Sequence, residues 1–69
     1  MAFKYYPEYQ APQVQQGEIV NYAWVPIGTT VYQTKVEAEQ AALTSSYHSL
    51  YDMRIIKSFW EIAQTIPKA

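Results

Sequence analysis

The chain has no cysteine, one histidine and two glycines in 69 residues. Without cysteine, disulfide staples and thiolate-held zinc or iron–sulfur centres are excluded. Gly17 and Gly28 are too isolated to form a phosphate-cradling loop. Charge is sparse as well, with five basic against six acidic side chains and a formal net charge of -1. Lys4, Lys35, Arg54, Lys57 and Lys68 are scattered, so attraction to a phosphate backbone requires the fold to gather them. No segment approaches the roughly 20 apolar residues that span a bilayer. Residues 1–8 lack the apolar run of a secretory signal, so no membrane association is expected and the cytoplasm is the expected compartment.

What the chain does have is aromatic surface: seven tyrosines, two tryptophans and two phenylalanines. A domain this small buries only about 60% of the surface its unfolded form exposes, so its stability is thin. Rings that each bury roughly 150–250 Å² offset that shortage, and self-association is a second remedy.

The expected fold is α+β, a single small domain over residues 18–67 preceded by an extended arm over residues 1–17. Pro7 and Pro12 steer the arm toward extended geometry, and Gly17 permits a change of direction. Phe3, Tyr5, Tyr6 and Tyr9 either fold back over the core or dock on a partner. Residues 18–34 read as a two-stranded antiparallel hairpin, with Ile19, Val20, Tyr22, Trp24 and Val25 facing Val31 and Tyr32 across a turn at Pro26, Ile27, Gly28 and Thr29. The face bearing Val20, Tyr22 and Trp24 is expected to be buried.

Thr34, Lys35, Val36 and Glu37 match a capping box and predict a helix start. Its expected apolar stripe is Val36, Leu43, Tyr47, Leu50 and Tyr51, with Thr44, Ser45 and Ser46 as weak points that need not stop it. Farther on, Ile55, Ile56, Phe59, Trp60, Ile62, Ala63 and Ile66 fill half a helical wheel, with Lys57, Ser58, Glu61, Gln64 and Thr65 on the other half. This predicts a second amphipathic helix, ended by Pro67. The two stripes differ in phase near residues 49–53. The segment is therefore two helices broken near Asp52, or one long helix whose halves face different neighbours.

Little here suits catalysis. Ser45, His48 and Asp52 form a nominal triad, but in one row along a helix, with no oxyanion hole. His48 and Asp52 are only two of the four ligands a structural zinc site uses. Glu37, Glu39 and Glu61 make no convincing carboxylate pair. No enzyme activity, cofactor or metal is expected. Tyrosine and tryptophan are common interface anchors, which points to a non-enzymatic protein-binding module such as an inhibitor, adaptor or accessory subunit. The candidate interface residues are Tyr5, Tyr6, Tyr9, Tyr47, Tyr51 and Trp60. Each also has the plainer reading of a ring serving the core. A homodimer is a natural companion to this expectation. The alternatives are a small single-stranded nucleic-acid-binding domain that stacks bases on tyrosine, and a minor enzyme activity through His48.

Overall fold

The computed structural model describes residues 4–58 and 60–69; expectations for Phe3 and Phe59 lie outside the described residues. The elements are β1 (Tyr5–Gln15), β2 (Glu18–Pro26), α1 (Lys35–Leu43), β3 (Met53–Lys57) and β4 (Glu61–Ile66). The strands form one antiparallel sheet in the order β2-β1-β3-β4. The expected architecture of arm, hairpin and two helices is therefore corrected: this is a four-stranded sheet with one short helix.

Most of the supposed arm is the longest strand, and its prolines show why that is tolerated. Gln10 donates its backbone N–H to Asp52 at 2.9 Å and Lys4 accepts from Ser58 at 2.8 Å. Even-numbered β1 residues thus aim their backbone groups at β3, and odd-numbered ones at β2. Pro12 directs its missing donor to the β3 side, where pairing runs only from Tyr5 to Tyr9. Pro7 directs its own to the β2 side, just past the last β2 pair at Glu8. Neither proline removes a donor from a strand ladder.

The strand paired with β2 is β1, and the turn joining them is Gln16–Gly17, with φ of 53° and 83°. Two consecutive positive φ values are what a two-residue hairpin turn of mirror type requires. Val31 and Tyr32 do not form the expected partner strand; Tyr32 makes only an isolated bridge to Tyr5.

The helix begins where the capping box placed it. Thr34 Oγ1 accepts from the Glu37 backbone N–H at 3.2 Å and donates to the Glu37 carboxylate at 2.9 Å. It stops after nine residues. The hydroxyls of Thr44 and Ser45 donate to the carbonyls of Gln40 (2.8 Å) and Ala42 (2.7 Å), satisfying groups that a helix end leaves orphaned. The buried side is Ala38 and Ala42, while the expected stripe residues Val36 and Leu43 are exposed.

The largest correction concerns the last segment, which is the β3–β4 hairpin and not a helix. Lys57 and Glu61 are cross-strand partners flanking a three-residue connection. Four residues is one helical turn, and it is also the separation of the residues closing such a loop. Ser58 opens the connection with φ of 55°. The ladder register then slips between Ile55 and Ile56, setting both Ile62 and Ala63 against Ile56. This bulge moves the apolar positions of β4 out of strict alternation and lets them imitate a helical arc.

One face of the sheet holds the core. Ala38 and Ala42 pack against Met53, Ile55 and Ile66, flanked by Tyr5, Tyr9, Ile27, Tyr32, Tyr47 and Ala63. Two alanines one turn apart bring the helix close to the sheet. At the β4 side Gln64 donates to the Glu39 carboxylate and its carbonyl oxygen is buried without a partner.

Candidate functional site

Directly paired residues in an antiparallel ladder share a face, so the register assigns every side chain. Tyr9, Met53 and Ile66 point to the helix. Tyr6, Glu8, Gln10 and Pro12 of β1 point the other way, as do Arg54 and Ile56 of β3 and Tyr22 and Trp24 of β2. Among the described residues no helix or further strand packs on that second face, although Ile56 and Glu8 at its centre are buried by their neighbours. The expected burial of the Val20, Tyr22 and Trp24 face is thereby corrected: Tyr22 and Val20 are exposed and Trp24 is half-buried.

The centre of the open face is organised by charge. Arg54 Nε donates to Glu8 Oε1 at 2.8 Å, and its guanidinium lies 4.2 Å from the Trp24 ring centroid. The pair closes over itself, with Glu8 buried. Beside it Tyr6 has its phenol pKa raised, chiefly by burial and next by the Glu8 carboxylate, with Arg54 opposing. A cleft of about 270 Å³ opens there, lined by Tyr6, Pro26, Gly28, Thr29, Thr30 and Val31. Its lining brings no nucleophile together with a base.

Past Tyr9 the sheet narrows. β1 leaves β3 and continues with β2 alone, and the molecule measures 45 × 22 × 18 Å. Residues 13–22 are all exposed. This ribbon is two-sided. Ile19 pairs with Val14 and Tyr22 with Pro12, which puts all four on the side continuous with the open sheet face. The opposite side carries Gln13, Asn21, Gln15 and Glu18. Val14, Ile19 and Tyr22 on this side, and Val20, which the register slip leaves unpaired beside Ile19, are each more than half exposed. Glu18 is the ribbon's one charge, and residues 5–34 contain no lysine or arginine.

The six rings proposed from sequence are distributed among different settings. Tyr9 stacks on Tyr47 with centroids 4.1 Å apart and planes 9° apart, and Tyr51 leans on both at 5.4 and 6.3 Å. The Tyr9 phenol pKa is raised, foremost by burial and then by Tyr47, which also hydrogen-bonds to it. Tyr5 packs against the core cluster. Tyr6 lies on the open face, and Trp60, in the β3–β4 connection, is 79% exposed. The ribbon residues Val14, Ile19 and Val20 were not among the candidates. The available signal was Gly17 between two β-prone runs, weakened because glutamine precedes it in place of asparagine or aspartate.

The nominal triad is dispersed into structural duties. Ser45 closes the helix, Asp52 Oδ1 accepts from the Lys68 backbone N–H at 2.8 Å, and the His48 carbonyl accepts from Ala69 at 3.0 Å. Among the described residues no group of three or more histidine, aspartate or glutamate side chains converges on a metal position. Among them, too, no helix is long and apolar enough to cross a membrane. Comparison with protein-family models, curated proteins and solved structures finds no match to this chain.

Proposed function

We propose that the chain is a non-enzymatic protein-binding module, acting in the cytoplasm, whose docking surface is the open sheet face and its extension along the β1–β2 ribbon. One observation carries the reading: the ribbon's apolar side is continuous with a sheet face on which, among the described residues, no second layer packs. An antiparallel sheet that faces water on one side ordinarily presents polar residues there. Here Pro12, Val14, Ile19, Tyr22 and Trp24 occupy that side. A two-stranded ribbon is marginal alone in water, so a partner that covers it also steadies it. Completing the burial of four half-exposed side chains contributes on the order of 4–6 kcal/mol before the cost of association. The partner that fits is a protein presenting an apolar, weakly charged surface. Single-stranded nucleic acid fits less well, because the basic group on this face, Arg54, is already paired with Glu8.

The test is site-specific photo-crosslinking in cells from position 20, on the ribbon, and from position 40, on the exposed side of the helix. The expected result is a discrete protein adduct from position 20 and not from position 40. Val20→Asp should then weaken binding of that protein at least about tenfold, with thermal unfolding unchanged. Equal labelling from both positions, or binding indifferent to Val20→Asp, overturns the reading.

A further inference from the structure

Three stretches of strand edge are unpaired among the described residues, and they are not equivalent. On the outer edge of β2, alternation places the backbone groups of Tyr22, Trp24 and Pro26 outward. Pro26 has no donor to offer, and the Tyr22 N–H is already held by Asn21 Oδ1 at 2.8 Å. On the free part of β1, beyond β3, Pro12 and Val14 face out, and Pro12 has no donor to offer. Both edges carry the devices that natural sheets use against strand addition. The third edge, β4, carries a bulge at Ile62 and Ala63, but past it the strand has no proline, and its single charged residue, Glu61, stands at its start.

Because Asp52 and Ser58 bond to β1, the odd-numbered residues of β3 face β4. Their partners Gln64 and Ile66 face inward, which leaves the backbone groups of Thr65 pointing outward, while Ala63 is the unpaired residue of the bulge. Around this edge lie exposed apolar side chains: Ile62, Trp60 at the adjoining turn, and Val36 and Leu43 on α1. Val36 and Leu43 stand three before and four after Glu39, the helix residue that reaches β4, and so share its flank.

We infer that β4 is a self-pairing edge, and that its occupant is β4 of a second copy of this chain, related by a two-fold axis near Thr65. Antiparallel pairing there lets the Thr65 residues of the two copies exchange both backbone hydrogen bonds across the axis. Charge favours a second copy. Glu61 begins the strand and Lys68 follows its end, so the antiparallel arrangement brings opposite charges together twice. The result is one eight-stranded sheet with both helices on one side and the two open faces joined on the other. A six-residue strand is about 20 Å long. The molecule is 18 to 22 Å thick, so the contact covers on the order of 400 Å² per copy, in the class of transient interfaces.

Analytical ultracentrifugation of the full chain over roughly 1 μM to 1 mM tests this. The expected result is a reversible shift from 8.0 kDa to twice that mass, with the midpoint at tens of micromolar. Thr65→Pro removes only an outward donor and should raise that midpoint at least about tenfold; should it fail to fold, Ile62→Lys gives the same reading at an exposed position. Val20→Lys on the ribbon should leave the midpoint within about twofold, and Lys68→Glu should raise it in low salt. A monomer throughout the range overturns the inference. So does a dimer that is insensitive to Ile62→Lys, or one that Val20→Lys dissolves.

Discussion

Replacing Arg54 with methionine keeps an aliphatic stem over Trp24 but strips the guanidinium from Glu8. The bond it removes is 2.8 Å long, between side chains that are 22% and 10% exposed. Two unit charges at about 4 Å interact by roughly 4 kcal/mol at an effective dielectric near 20, and the desolvation of both groups takes back much of this. Truncating one partner is worse than removing the pair, because Glu8 stays buried without a counter-charge. Arg54→Met should therefore cost about 2–4 kcal/mol, out of roughly 3–10 kcal/mol available to a chain of 69 residues. Glu8→Gln should cost about 1–3 kcal/mol, and the double variant should recover at least 1.5 kcal/mol of the summed loss. Urea unfolding followed by tryptophan emission suits the measurement. Trp24 is half-buried under Arg54 and reports unfolding, whereas Trp60 is largely exposed already. A coupling below about 0.5 kcal/mol would show that the pair behaves as an exposed one, and the account of a charge-closed open face would fail.

Three further outcomes follow from the packing, the turns and the phenols. Ile55 is fully buried beneath two alanines, so Ile55→Ala should cost about 3–4 kcal/mol in urea unfolding, while Val36→Ala at an exposed helix position should stay within about 0.5 kcal/mol. Gln16 holds a φ of 53° that glutamine adopts reluctantly, and Gln16→Asn, restoring the favoured pair before Gly17, should stabilise by about 0.5–1 kcal/mol. Tyr9 has a raised pKa in the fold, chiefly from burial, so its contribution is fully present below its unfolded value of about 10 and is lost as pH rises through the folded value. In that window the folded state binds more protons than the unfolded one, so thermal stability should fall on titration above about pH 10, and Tyr9→Phe should make the fall shallower.

What could be read from the residues was local. The capping box at Thr34 and Glu37 set the helix start correctly because its hydrogen bonds join residues three apart. Strand pairing was harder to read, for definite reasons. In β1 the two prolines look like breakers, yet both sit where no ladder donor is required, which depends on where β2 and β3 end. In β4 the bulge at Ile62 and Ala63 shifts the alternation, and the β2 register slips in the same way between Gln13 and Val14. Each bulge erases the period of two that identifies a strand. The proposed rings divide among settings that composition does not reveal: Tyr9, Tyr47 and Tyr51 gather into one intramolecular stack, Trp60 is largely exposed, and aliphatic residues of the ribbon add exposed apolar surface.

Amide hydrogen exchange resolved by residue, on the free chain and on the chain bound to the protein captured from position 20, addresses the docking surface most directly. In the free chain the amides of residues 13–22 should exchange far faster than those of Met53 and Ile55, since the former residues are exposed and the latter buried. Binding should slow exchange across the ribbon and along Tyr22 and Trp24, leaving the exposed side of the helix unchanged. Protection that appears on the helix while the ribbon goes on exchanging freely would contradict the account.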